Sequence, residues 1–246
     1  MNWRSREQFM RALILAAGRG ERMRPLTDNT PKPLLRAGGK RLIEWQIESL
    51  ARSGVRDIVI NVAHMPDHFS AALGDGGRYG VALHYSREGE TAGDALETLG
   101  GVVKALPFLG SAPFIVTSGD IVTDFSYANL AAKCELLQQG SIDAHLVLVE
   151  NPMFHLQGDM ALVGGKIDPD ASPRLTYANI GLFAPRLFEG FVVRRAALFP
   201  WIYGSARVGR ISGELHAGRW WNAGTPEDLV QLNAELAQVD KRELSR

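Results

Sequence analysis

With 246 residues, 46% of them hydrophobic, the chain can bury one full core or two small ones. Its 27 basic and 27 acidic residues balance, so no chain-wide field draws nucleic acid or an anionic membrane, and any anion site must be local. A single cysteine, Cys134, excludes an internal disulfide framework and a Cys-cluster zinc site, no apolar run reaches membrane-spanning length, and MNWRSREQF lacks a signal-peptide core; a cytoplasmic enzyme is the expectation.

Residues 1–9 read as a flexible extension and 10–246 as one domain, since no linker, repeat or low-complexity tract interrupts the chain. The first element is a strand over 11–16, which runs into a glycine loop and a basic, proline-punctuated segment, so that 13–34 reads LILAAGRGERMRPLTDNTPKPL. Gly18 and Gly20 alone need be no more than a turn, and basic residues are usually solvated charges. Density favours a triphosphate site: Arg19, Arg22, Arg24 and Lys32 surround the glycines, and Pro25, Pro31 and Pro33 keep the loop from continuing as a helix. A P-loop is excluded because Gly20 is followed by Glu21-Arg22, and a dinucleotide fingerprint because Met stands at 23 and Pro25 opposes a helix there.

Further along, LIEWQIESLARSG (42–54) has helical periodicity, DIVINV (57–62) reads as a buried strand, 65–73 as a helix, 81–86 as a strand and 93–105 as a helix. PFIVTSGD (113–120) is an apolar strand ending in small residues and an acid, as a parallel strand buried on both faces does at its functional end. A helix over 127–138 and a strand over 144–150 complete a βαβα alternation, which predicts a three-layer α/β/α, Rossmann-like fold with a mostly parallel sheet and ligands above the strand C-termini. After Asn151-Pro152 come shorter segments, MALVGGKI, LTYANIGLFA and RISGELHAGRWW, expected to form a small antiparallel lid region, and Thr225-Pro226-Glu227 caps a last helix to about 239.

GxGxRxxPLT followed by PKP, seen as Gly18, Gly20, Arg22, Pro25, Leu26, Thr27 and Pro31-Lys32-Pro33, resembles the signature of sugar-1-phosphate nucleotidyltransferases. The likeness runs on through Ser118-Gly119-Asp120 to Gly224-Thr225-Pro226. Within that superfamily, REGE…ALETLGGVVKALPFLG, ENPMFHLQGDMAL, TYANIGLF and GELHAGRWWNAGTPEDL look most like the uridylyltransferases of cell-wall recycling, which implies UTP and N-acetylmuramic acid 1-phosphate as substrates and Mg²⁺ as cofactor. A glucose- or mannose-1-phosphate or phosphocholine nucleotidyltransferase, and a weakly active nucleotide-sugar binding module, stand as alternatives; a monomer or weak homo-oligomer without nucleic-acid or membrane partners is expected. The chemistry agrees with the resemblance, because an anionic sugar phosphate needs no general base, only alignment and neutralisation of a departing pyrophosphate.

The resemblance implies that Arg22 and Lys32 are catalytic, contacting the phosphates, and that Ala16, Ala17, Gly18, Gly20, Glu90, Thr98 and Asp120 complete the nucleotide site, with Glu88 a further base-contact candidate. Asp120 would hold Mg²⁺, although an acid after a strand also suits a helix cap or turn. Asn222, in WWNAGTP, stands where the family carries a second carboxylate; its amide oxygen can still ligate magnesium with one less negative charge. Asp159, Asn179, Gly181 and Glu214 match acceptor-sugar positions, with a strand kink and a solvated hairpin acid as the plain alternatives for Gly181 and Glu214. TAGD (91–94) lengthens the base-side loop. His64 and His68 have helical spacing but no third ligand nearby, so a surface helix is the expectation, and Trp220-Trp221 is expected to pack the last strand on the core.

Overall fold

Apolar runs alternating with helical periodicity become, in the computed structural model, a sheet with helices on both faces; residues 10–243 are described, and the expected extension over 1–9 lies outside them. The first half comprises β1 (Ala12–Leu15), a hairpin of β2 (Arg36–Ala37) and β3 (Lys40–Arg41), α1 (Leu42–Arg52), β4 (Asp57–Val62), α2 (Pro66–Leu73), β5 (Ala82–Arg87), α3 (Glu97–Leu109), β6 (Phe114–Ser118) and β7 (Ile121–Thr123). The second half comprises α4 (Cys134–Gln138), β8 (Ala144–Val149), β9 (Ala161–Val163), β10 (Lys166–Asp168), β11 (Thr176–Phe183), α5 (Tyr203–Arg207), β12 (Ile211–Leu215), β13 (Trp220–Asn222) and α6 (Pro226–Glu243).

The nine-stranded sheet has the order β5-β4-β1-β6-β11-β8-β12-β10-β9. Strands β5, β4, β1 and β6 are parallel neighbours and β12 is parallel to β8, while β11 runs antiparallel between β6 and β8. The C-terminal ends of β1, β4, β6, β8 and β12 therefore share one edge. The chain reverses direction across β1, going first to β4 and β5 and then back to β6, and that reversal opens a crevice above the strand ends. Of the segments expected to form an antiparallel lid, MALVGGKI becomes β9 and β10, which extend the same sheet beyond β12, whereas LTYANIGLFA becomes β11 inside the main sheet, where its apolar residues are buried between β6 and β8.

Period-two alternation distributes the core. Ala12, Ile14, Ile58, Ile60 and Ile115 pack on one face with α1, α2 and α4, and Leu13, Val59, Phe114 and Val116 on the other with α3 and α5. A third cluster joins Met23, Leu42 and Val122 to Leu229, Leu232 and Leu236 of α6, which fastens the last helix beneath the basic loop.

Several expected elements differ. The helix expected over 93–105 begins at Glu97, because Thr91 and Asp94 close a separate 3-10 turn over Ala92–Asp94. The 127–138 segment is a 3-10 stretch, Tyr127–Lys133, followed by the short α4. His64 precedes α2, from which Met65 at φ 51° separates it, so His64 and His68 do not share a helix face. RISGELHAGRWW divides into β12 in the main sheet and β13 paired with β7. Trp220 and Trp221 then face opposite ways: Trp220 packs on the main core and donates to the Ala178 carbonyl, whereas Trp221 packs under α6 and donates to Glu235.

Candidate active site

A cleft of about 820 Å³ lies over the C-terminal ends of β1, β4 and β6, with the glycine loop on one side and residues 92–98 on the other. Its loop wall is Ala16, Ala17, Gly18, Arg19, Gly20 and Arg22. Lys32, Ser118, Asp120 and Gly224 form its floor and far corner.

Local geometry explains this placement. Gly20 adopts φ +69°, and a Cβ there would stand 2.9 Å from the Lys32 Cβ, so only glycine suits that position without strain. Its carbonyl accepts from Met23 N at 2.9 Å and Thr27 Oγ1 at 2.9 Å, which folds the loop back on itself. Met23 is fully buried, and this anchors Arg22 at the rim, where its guanidinium has no hydrogen-bond or ion-pair partner among the described residues. Lys32 starts the 3-10 turn Lys32–Leu34; with Pro33 and Leu34 buried behind it, its ammonium is held 2.6 Å from Asp120 Oδ2. Arg24 instead pairs with Asp28 at 2.6 Å on the exposed side and does not line the cleft.

Behind the loop lies a buried polar chain that sequence reading assigned differently. Asn61 Oδ1 accepts from Ala16 N at 2.7 Å, Asn61 Nδ2 donates to Glu88 Oε1 at 2.6 Å, and Glu88 Oε2 accepts from Leu96 N at 2.6 Å. One amide and one carboxylate thus tie the end of β1 to the start of α3. Burial pushes the Glu88 carboxyl above its ordinary value, against the lowering effect of these hydrogen bonds. Gly101 makes room for the chain, since a Cβ there would meet Glu88 Oε1 at 2.5 Å and Asn61 Nδ2 at 2.7 Å. Glu88, expected near the base, is only 8% exposed and spends both oxygens inside the protein.

Thr98 lines the cleft as expected, whereas Glu90 does not; it is exposed, pairing with Arg87 at 3.2 Å and donating its N–H to Asp94 Oδ2 at 3.1 Å. The inserted TAGD is ordered by Asp94, whose carboxyl is held low mainly by the backbone N–H of Thr91, and the turn presents Ala92, Gly93 and Ala95 to the cleft.

Asn222 ends β13 opposite Ile121, and the Ala223 N–H donates to the Asp120 carbonyl at 3.2 Å, so Asn222 adjoins Asp120. Its Oδ1 is buried without a hydrogen-bond partner, a cost that a cation ligated there would relieve. Asp120 lines the cleft and Asn222 does not, but the two are backbone neighbours and both offer the oxygen donors that magnesium takes. Among the described residues no cluster of three or more His, Cys, Asp or Glu offers a metal cage.

The four acceptor-side candidates lie on or beside β11 and β12. Asn179 sits in the bulge between Tyr177 and Ile180 at φ 57°, a left-handed conformation that asparagine adopts more readily than other non-glycine residues, and its side chain makes no hydrogen bond among the described residues. Gly181 has a packing reason, since a Cβ would meet the Phe183 ring at 2.7 Å. Asp159 accepts from Tyr177 N at 2.8 Å and contacts His155 Nε2 at 3.0 Å, which secures the start of β11. Glu214 lies 3.3 Å from the buried His145 Nε2, a contact that holds its carboxyl below the ordinary value. None of the four lines the 820 Å³ cleft.

Sequence reading missed Asn61, Glu97 and Arg195, all lining the cleft. Asn61 was detectable as the polar interruption in DIVINV. Arg195 carried no signal, because it arrives from an irregular segment far along the chain.

The nucleotidyl transferase family matches residues 11–153. An N-acetylmuramate alpha-1-phosphate uridylyltransferase of Neisseria meningitidis serogroup B is 45% identical over 92% of this chain and 97% of its own length. A Caulobacter vibrioides protein of the same name is 31% identical over 93% and 97%. Among solved structures, a Bacillus anthracis protein crystallised with sucrose superimposes with a TM-score of 0.77 at 22% identity, over 92% of this chain and 95% of that one, a likeness of fold.

Proposed function

The chain belongs to the nucleotidyl transferase family, and from that membership we propose that it transfers a uridylyl group from UTP to N-acetylmuramic acid 1-phosphate, giving UDP-N-acetylmuramic acid and pyrophosphate. The observation that carries the chemistry is the convergence of unpartnered Arg22, the Lys32–Asp120 pair and the glycine loop on one cleft. The choice of uracil and of sugar rests on the likeness to the Neisseria and Caulobacter enzymes.

The acceptor phosphate is already anionic, so the protein's task is to align its oxygen with the α-phosphorus and to neutralise the departing pyrophosphate. The backbone of Ala17, Gly18 and Gly20 wraps the triphosphate, Arg22 swings from the rim onto it, and Lys32 turns from Asp120 towards the α-phosphate. Asp120 and Asn222 would hold magnesium, which would supply charge to screen the phosphates. Asn179 and Glu214 offer polar groups to the acceptor sugar, with Asp159 and Gly181 shaping the strand that presents them. Such a reaction belongs in the cytoplasm, where UTP is made and used.

Pyrophosphate release from each of the four ribonucleoside triphosphates, paired with N-acetylmuramic acid, glucose and mannose 1-phosphates and with phosphocholine, tests this reading. UTP with N-acetylmuramic acid 1-phosphate should give the highest kcat/KM; preference for another pair transfers the assignment to that nucleotidyltransferase. Asn222 in place of a carboxylate favours a second reading, a nucleotide-sugar binding protein of low activity. Tight UDP-sugar binding without turnover at high magnesium would select it.

A further inference from the structure

Opposite the glycine loop, the cleft wall carries an ion pair that the proposed chemistry does not use. Arg195 Nε lies 2.9 Å from Glu97 Oε1, and both residues line the cleft. Glu97 is the first residue of α3, where an acid is usually explained as a cap. It is not one here: no side-chain hydrogen bond caps α3, and the only partner of the Glu97 carboxylate among the described residues is Arg195. Its Oε2 keeps its acceptor capacity.

The side chains of the pair are partly exposed, and it is the backbone that brings the two residues together. Glu97 has φ 59°, a conformation that glycine adopts freely and glutamate does not. Arg195 is delivered by a segment docked on α3: Ala196 N donates to the Leu96 carbonyl at 2.9 Å, and the Ala196 carbonyl accepts from Leu99 N at 3.0 Å and Gly100 N at 3.2 Å. Gly100 permits the approach, because a Cβ there would stand 2.2 Å from the Arg194 carbonyl oxygen.

We infer that Glu97 is the specificity-determining residue that reads the nucleotide's ribose, accepting hydrogen bonds from its vicinal hydroxyls, and that Arg195 is a positioning residue holding the carboxylate in line. The inference rests on a nucleoside triphosphate occupying this cleft. A carboxylate with a free oxygen suits a cis-diol, which offers it two donors. It does not suit a triphosphate, which repels it, nor the uracil edge, whose single N–H is flanked by two carbonyl oxygens that also repel it. The predicted consequence is selection of ribonucleotide over deoxyribonucleotide.

Titration calorimetry of UTP, dUTP and CTP with the whole protein in magnesium buffer tests this without turnover. Wild type should bind UTP about tenfold more tightly than dUTP, the scale of a charge-assisted hydrogen bond. Glu97→Gly, which suits the left-handed backbone and so keeps the fold, should bring UTP down to the dUTP level while keeping the UTP-to-CTP ratio. Glu97→Gln should lose part of the discrimination. Arg195→Ala should lose part as well, and Arg195→Lys should restore some of that loss. Equal wild-type binding of UTP and dUTP, equal weakening of both in Glu97→Gly, or a collapse of the UTP-to-CTP ratio would each overturn the inference. Absence of pyrophosphate release in the substrate panel would remove the proposed reaction and leave this binding result standing.

Discussion

Lys32 and Asp120 lie 88 positions apart in sequence, and in the fold the ammonium and the carboxylate are 2.6 Å apart. The cation assigned to the phosphates and the acid assigned to the metal neutralise each other until substrates arrive. The site thus holds a neutral pair rather than bare charge. On the proposed roles, a substrate phosphate would replace Asp120 as the partner of Lys32, and Asp120 would be freed to ligate magnesium.

Lys32→Ala should lower kcat by about 10²–10³-fold, the usual cost of removing one donor aimed at developing charge. Arg24→Ala, which breaks only the exposed pair with Asp28, should change kcat by no more than about twofold. Steady-state rates of pyrophosphate release compare the two. Similar losses would mean that the loop's basic residues have been given the wrong roles.

Asn222→Asp adds the carboxylate that the unsatisfied Oδ1 anticipates. The magnesium concentration for half-maximal activity should fall several-fold, by about the strength of one added ion contact beside Asp120. A magnesium titration of both proteins at saturating substrates measures it, and an unmoved midpoint would rule Asn222 out as a ligand.

The two loop glycines should separate. Gly18 has no atom within 4 Å of a built Cβ and no positive φ, so Gly18→Ala should leave the unfolding midpoint unchanged while raising the KM for UTP, because the methyl projects into ligand space. Gly20→Ala meets Lys32 and forces a left-handed alanine, and should cost about 1–2 kcal/mol of stability as well as activity. Denaturant unfolding alongside kinetics separates the effects; a destabilised Gly18→Ala protein would contradict the assignment.

Glu88 gives a pH dependence of defined sign. Burial raises its folded-state value above the ordinary 4.5, so the folded protein holds this proton more tightly than the unfolded chain does. The contribution is fully present below the unfolded value and is lost as pH rises through the raised folded one. Urea unfolding of wild type and Glu88→Gln from pH 4.5 upwards should show the wild type losing ground to the variant as pH rises. A difference that stays flat across the series would show that Glu88 does not titrate between the two states.

Much of this site was legible because its residues are local. The strand, glycine loop and PKP segment are contiguous, and DIVINV was placed to the residue because a short, mostly apolar β-branched run has one physical use in an α/β chain. Legibility failed where partners come from afar. Glu88 looked like a base contact because sequence does not reveal that Asn61 and Leu96 consume its oxygens. RISGELHAGRWW looked continuous because nothing local announces that its two ends pair with β8 and β7. Arg195 was invisible, since its placement depends on backbone bonds to α3 rather than on any pattern around it.

The insertion of β11 between β6 and β8 sets an order of events during synthesis. As the chain leaves the ribosome, β1, β4, β5 and β6 can pair with one another, but β8 emerges with no neighbour until residues 176–183 follow it. The family-matched stretch 11–153, glycine loop and Asp120 included, is thus made before the strand that joins β6 to β8 exists. A nascent chain stalled there would leave apolar β8 unpaired on both sides, a strand edge prone to aggregation.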